Sequence, residues 1–137
     1  FITDVAIKTL FSHCTQLRIV QFLHCLNIST GFSWFRNLEE LRFYNCPNLT
    51  DEMVATLVKN NPLLALIRAS CCLQLTSKAV VSILHGCPQL DSITVTSTRA
   101  TAFDFNGTAP PSEMSSLMST LIQEHYPKIT VLDIKLK

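Results

Sequence analysis

The chain has 137 residues, of which 47% are hydrophobic and 15% charged, and a formal net charge of +1. That length holds one domain with a core of its own. The balanced charge excludes recognition of nucleic acid or an anionic membrane by bulk electrostatics, and the apolar content excludes a disordered chain. No apolar run reaches the roughly 18 residues that a membrane helix needs. No signal peptide opens the chain, and a first residue of Phe1 rather than Met points to a piece of a longer protein.

Taken in order, the first predicted element is a helix over Thr3–Ser12, where Ile7 and Leu10 recur at helical spacing behind a Thr3-Asp4 start. The period then falls to two in Leu17-x-x-Val20-x-Phe22-x-x-Cys25, which predicts a short strand over Arg18–Phe22. Cys25 and Cys46 stand only 21 residues apart, too few for a full loop and helix. Ser29 to Trp34 is therefore expected as an irregular turn or a single helical turn, with Trp34 filling the core there. Next comes Leu38-x-x-Leu41-x-Phe43-x-x-Cys46-x-x-Leu49-Thr50, a strand over Glu40–Phe43. A helix over Asp51–Asn60 follows it, started by Thr50 and stopped by Pro62. Leu64-x-x-Ile67-x-Ala69-x-x-Cys72-x-x-Leu75-Thr76 repeats this pattern at a constant offset of 26 residues. It predicts a strand over Ala65–Ala69 and a helix over Ser77–His85, stopped by Pro88. A third copy, Leu90-x-x-Ile93-x-Val95-x-x-Thr98, carries threonine in the cysteine position and gives a strand over Ser92–Val95. From Leu90 to the last strand pattern, Ile129-x-x-Leu132-x-Ile134, the offset is 39, which is 13 beyond the repeat. The excess is an irregular insertion over residues 97–112, followed by a helix over Ser112–His125 and a strand over Val131–Ile134.

A strand and a helix repeating every 26 residues fall within the leucine-rich repeat range of roughly 20–29 residues. Cys46-Pro47-Asn48-Leu49-Thr50-Asp51 with Pro62 and Leu64, and then Cys72, Leu75-Thr76, Cys87-Pro88 and Leu90, resemble the cysteine-containing repeats of F-box/leucine-rich-repeat proteins. The resemblance implies an α/β fold in a single domain, 1–137, of about five strand–helix units. These would form a right-handed leucine-rich repeat solenoid, with parallel strands on the concave face and helices on the convex face. It also implies a protein-protein interaction module, namely the substrate-recognition repeats of an F-box-type ubiquitin ligase adaptor, although no segment of the chain resembles an F-box. The alternative is a structural or assembly subunit of a larger complex with no ubiquitin role. A third reading places a catalytic domain outside the chain. The chain itself carries no phosphate-binding glycine loop and no nucleophile motif, so no enzyme activity is expected of it.

Alternation turns Leu41 and Phe43 inward and leaves Glu40, Arg42 and Tyr44 on the open surface. The equivalent triplets are Ile19, Gln21, Leu23; Leu66, Arg68, Ser70; Ser92, Thr94, Thr96; and Val131, Asp133, Lys135. Arg42 and Arg68 then stand side by side, about 4.8 Å apart in strand spacing. Such a pair suits an acidic or phosphorylated peptide, unless Glu40 and solvent satisfy it. The expected site for a protein or peptide ligand comprises Gln21, Glu40, Arg42, Tyr44, Leu66, Arg68 and Thr94. Phe103 and Phe105 of the insertion are expected to close over one edge or, alternatively, to tuck the loop onto the last repeat.

Cys25, Cys46 and Cys72 share one repeat position and are expected to be reduced, buried and stacked in a row, in a reducing compartment such as the cytoplasm or nucleus. The three glycosylation sequons, at Asn27, Asn48 and Asn106, would go unused there. His13-Cys14 and His24-Cys25 lack any Cys-x-x-Cys partner, so neither a metal nor a cofactor is expected. His85 and His125 read as helix-ending residues.

Overall fold

A computed structural model describes residues 2–97 and 113–136. Phe103 and Phe105, with nearly all of the insertion, lie outside the described residues. The elements are α1 (Asp4–His13), β1 (Ile19–Leu23), a 3₁₀ turn (Gly31–Trp34), β2 (Glu40–Tyr44), α2 (Asp51–Asn60) and β3 (Leu66–Ser70). They continue with α3 (Ser77–Gly86), β4 (Ser92–Thr96), α4 (Glu113–His125) and β5 (Val131–Lys135). The fold is α/β: the five strands form one sheet in chain order, and every neighbouring pair is parallel. The expected elements fall within one or two residues of those observed.

Local chemistry explains the alternation of strand and helix. Thr3, Thr50 and Thr76 sit in extended backbone, and their hydroxyls accept from the N–H groups of Ala6, Met53 and Lys78 at the start of α1, α2 and α3. An acidic residue at the first helical position ties one unit to the next. The Asp51 carboxylate accepts from the Thr76 N–H at 2.9 Å and from its hydroxyl at 2.6 Å. The Asp4 carboxylate takes the same role for Ser29 and Thr30, accepting from both backbone N–H groups and both hydroxyls. Each of the first three strands is followed by a left-handed residue: His24 (φ 53°), Asn45 (φ 50°) and Cys71 (φ 58°). That conformation turns the chain out of the sheet and is costly without glycine. His24 and Asn45 are held in it by donating to Tyr44 O and Ser70 O of the next strand, each at 2.9 Å.

The inward residues of the strands, among them Phe22, Leu41, Phe43, Ile67, Ile93 and Ile134, join Ile7, Val54, Leu57, Val80, Ile83 and Ile122 of the helices in one buried cluster. The helices therefore cover the inward face of the sheet, and on β1–β3 the outward residues are exposed or half-buried. The short unit lacks a helix, and aromatic rings occupy its place. Phe22 stacks on Phe35 at 5.5 Å and on Phe43 at 5.4 Å, while Phe32 meets all three edge-on. Trp34 does not fill this core as expected. It is 45% exposed, with Lys8 Nζ 4.8 Å from its ring centroid. In a 3₁₀ turn, residues three apart share a face, so Phe32 and Phe35 point inward together and Trp34 points away. Among the described residues no helix is long and apolar enough to cross a membrane.

Candidate functional site on the open sheet face

The strand register aligns the outward residues in rows. One row runs Ile19, Glu40, Leu66, Ser92, Val131, and the next Gln21, Arg42, Arg68, Thr94, Asp133. A third holds Leu23, Tyr44 and Ser70 on the first three strands and Thr96 and Lys135 on the last two. Seven of the nine residues expected in the site thus share one face, and Phe103 and Phe105 lie outside the described residues. Gln21 and Arg68 are exposed, while Glu40, Arg42 and Leu66 are half-buried. Ile19, Leu23 and Tyr44, at 58%, 54% and 40% exposure, form an apolar corner at the β1 side.

Thr94 corrects the expectation of an open row. It is only 6% exposed, as is Ser92. Its register partners are Arg68 and Asp133, and at this exposure it offers a partner little area.

The charges on this face are unevenly paired. Arg42 donates to Glu40 Oε2 at 2.8 Å, and Lys135 lies 3.7 Å from Asp133. Arg68 has no ion pair among the described residues. Arg42 Nε is buried and has no hydrogen-bond partner. Beside this group, His24 packs edge-on against Tyr44 at 5.7 Å and accepts from Asn45 Nδ2 at 2.8 Å through Nδ1. His24 belongs to the face through this contact. In the sequence it reads only as half of a His-Cys pair, and its place beside Tyr44 and Asn45 is a tertiary feature.

All six cysteines are free thiols. Cys46 and Cys72 are fully buried, as expected of the repeated position, whereas Cys25 is half-buried. It follows β1, the edge strand of the sheet. The Cys25, Cys46 and Cys72 thiols each donate to the carbonyl two residues back, that of Leu23, Tyr44 and Ser70. Burial pushes all three thiols above their ordinary value, Cys72 to about 12. Burial also pushes Cys87 up to about 12. These are protonated, poorly nucleophilic sulfurs that pack the core.

The histidines of both His-Cys pairs have partners of their own. His13 Nδ1 is 2.8 Å from Thr9 O within its own helix, and His24 is bonded to Asn45. Among the described residues no three His, Cys, Asp or Glu side chains converge as metal ligands. His85 and His125 stand at the ends of α3 and α4 and line a cleft of about 360 Å³ with Leu84, Cys87, Tyr126 and Ile129. The sequence placed both at helix ends but gave no sign that they share a cleft.

No family model, curated protein or solved structure matches the chain. The surface itself therefore carries the functional reading.

Proposed function

We propose that the chain is a protein-interaction module that binds a protein or peptide on the open face of its sheet. The observation that carries this reading is the exposed corner of Ile19, Leu23 and Tyr44 beside Arg42 and Arg68. Apolar and aromatic groups next to arginine are the side chains that dominate binding energy at protein interfaces. The inward residues are committed to packing, so the outward rows vary without cost to the fold. On this reading the strand–helix units are leucine-rich repeats stacked as a right-handed solenoid, and Thr50-Asp51 and Thr76 join successive units. The resemblance to the repeats of F-box proteins extends the reading to substrate recognition for a ubiquitin ligase. The free thiols favour a reducing compartment, cytoplasm or nucleus, as its setting. A permanent assembly role is favoured by a different observation: Val5 on α1 and Leu117 and Leu121 on α4 expose large apolar side chains on the first and last helices.

The test is affinity capture of partners from native extract by the full chain, with cross-linked residues mapped by mass spectrometry. Cross-links to β1–β3, with capture lost in Leu23→Ala/Tyr44→Ala and kept in Lys59→Glu/Lys78→Glu, support the open-face reading. The opposite pattern moves the site to the helices and overturns it. A ubiquitin-ligase subunit bound by the full-length protein supports the adaptor role. A fixed stoichiometric complex without one supports the assembly role.

A further inference from the structure

Resting on the open-face reading, we propose that the partner segment is phosphorylated and that its phosphate seats between the guanidinium groups of Arg42 and Arg68. These residues are register partners on adjacent parallel strands, so both side chains rise from the same face one strand apart. Like charges placed directly opposite each other destabilise a sheet. The repulsion is only partly relieved within the chain, because one carboxylate, Glu40, serves Arg42 and none among the described residues serves Arg68. Glu40 engages one terminal nitrogen of Arg42. The Arg42 Nε donor is buried without an acceptor, so Glu40 does not satisfy the whole of this guanidinium. Both residues ask for an anion with several acceptor oxygens.

A phosphate monoester fits that demand better than the other anions. It carries nearly two charges and three acceptor oxygens, enough to bridge two planar guanidinium forks. A carboxylate has two oxygens and one charge, and a single arginine saturates it. An extended polyanion such as RNA needs a track of cations. This face instead places Asp133 in the arginine row and Glu40 in the row beside it. Beside the arginine pair, Ile19, Leu23 and Tyr44 offer apolar area for a residue flanking the phosphate. The Gln21 amide next to Arg42 can bond the peptide backbone.

The probes are degenerate short peptide pools with a fixed central phosphoserine, phosphothreonine or phosphotyrosine. Unphosphorylated and glutamate-centred pools are the controls. Each is titrated into the isotope-labelled full chain and followed by NMR. At least one phosphorylated pool is expected to shift the Arg42 and Arg68 Nε–H signals and the β2 and β3 amides saturably. Arg68→Ala is expected to weaken that binding by at least about tenfold with an unchanged melting temperature, and Arg68→Lys to restore only part of it, because lysine lacks the bidentate fork. Equal shifts of β2 and β3 by unphosphorylated or glutamate-centred pools overturn the phosphate and leave the open face standing. Shifts confined to the helices overturn both readings. Failure of every phosphorylated pool to bind at millimolar concentration overturns the phosphate proposal alone.

Discussion

Replacing Asn61 with alanine removes three hydrogen bonds from a place that water does not reach. Asn61 is 0% exposed and caps the end of α2. Its Oδ1 accepts from Leu38 N–H at 3.1 Å, and its Nδ2 donates to Phe35 O at 3.2 Å and to Leu57 O at 2.8 Å. One amide thereby joins the end of a helix to the segment that leads into β2. Alanine strands the Leu38 N–H and the Leu57 carbonyl, while Phe35 O keeps the Arg36 guanidinium as a donor at 2.7 Å, and an unmet buried group costs about 1–3 kcal/mol. A water entering the space left by the amide can satisfy part of this, so the expected loss is about 3 kcal/mol. That is a large share of the roughly 5–15 kcal/mol that holds a domain together. With a urea slope of about 1–3 kcal/mol per molar, the midpoint should fall by at least about 1 M. Asn61→Asp is the sharper variant. It keeps the size and the acceptor for Leu38, yet it turns a carboxylate toward two carbonyl oxygens and should destabilise more than alanine does. Urea denaturation followed by circular dichroism measures both. An aspartate variant within about 1 kcal/mol of the parent would refute the bracing role of the amide.

Three further outcomes are expected. Cys72→Ser should cost about 1–3 kcal/mol, because a hydroxyl replaces sulfur in a dry site, and Cys25→Ser should cost less, because that site is half-buried; equal losses in urea denaturation would count against the packing role. Cys72 and Cys87 are pushed up to about 12 in the folded chain from an ordinary 9.0, so the unfolded chain sheds these protons first. Their contribution is complete below pH 9 and is lost as pH rises toward 12, amounting to about 1.4 kcal/mol per thiol at pH 10. Stability measured between pH 8 and pH 10 should fall less steeply in Cys87→Ala than in the parent, and identical slopes would contradict the assignment. Gly86→Ala would set a methyl 2.9 Å from Val58 Cγ2, and the stiff valine cannot yield. A loss of about 1–2 kcal/mol should follow, even though alanine favours a helix, and thermal melting no lower than the parent's would show that α2 and α3 are free to separate.

Much of the architecture is legible in one dimension because it repeats. Period-two runs such as Leu41 and Phe43, hydroxyl starts such as Thr50 and Thr76, and proline stops at Pro62 and Pro88 act over a few residues, and their physics is local. The offset of 26 residues from Cys46 to Cys72 sets equivalent strands in register, so the adjacency of Arg42 and Arg68 can be read before any coordinates exist. Tertiary structure decided what depends on neighbours distant in the chain. Thr94 looks as open as Gln21 in the sequence, and only the folded chain shows it buried. Trp34 looks like core, yet the 3₁₀ turn gives the inward face to Phe32 and Phe35. Asn61 reads as an ordinary residue before a proline, and its bonds to Leu38 and Phe35 exist only because the segment leading into β2 packs against the end of α2. The same holds for Arg42 Nε: a missing partner depends on everything packed around the atom, which no spacing of residues encodes.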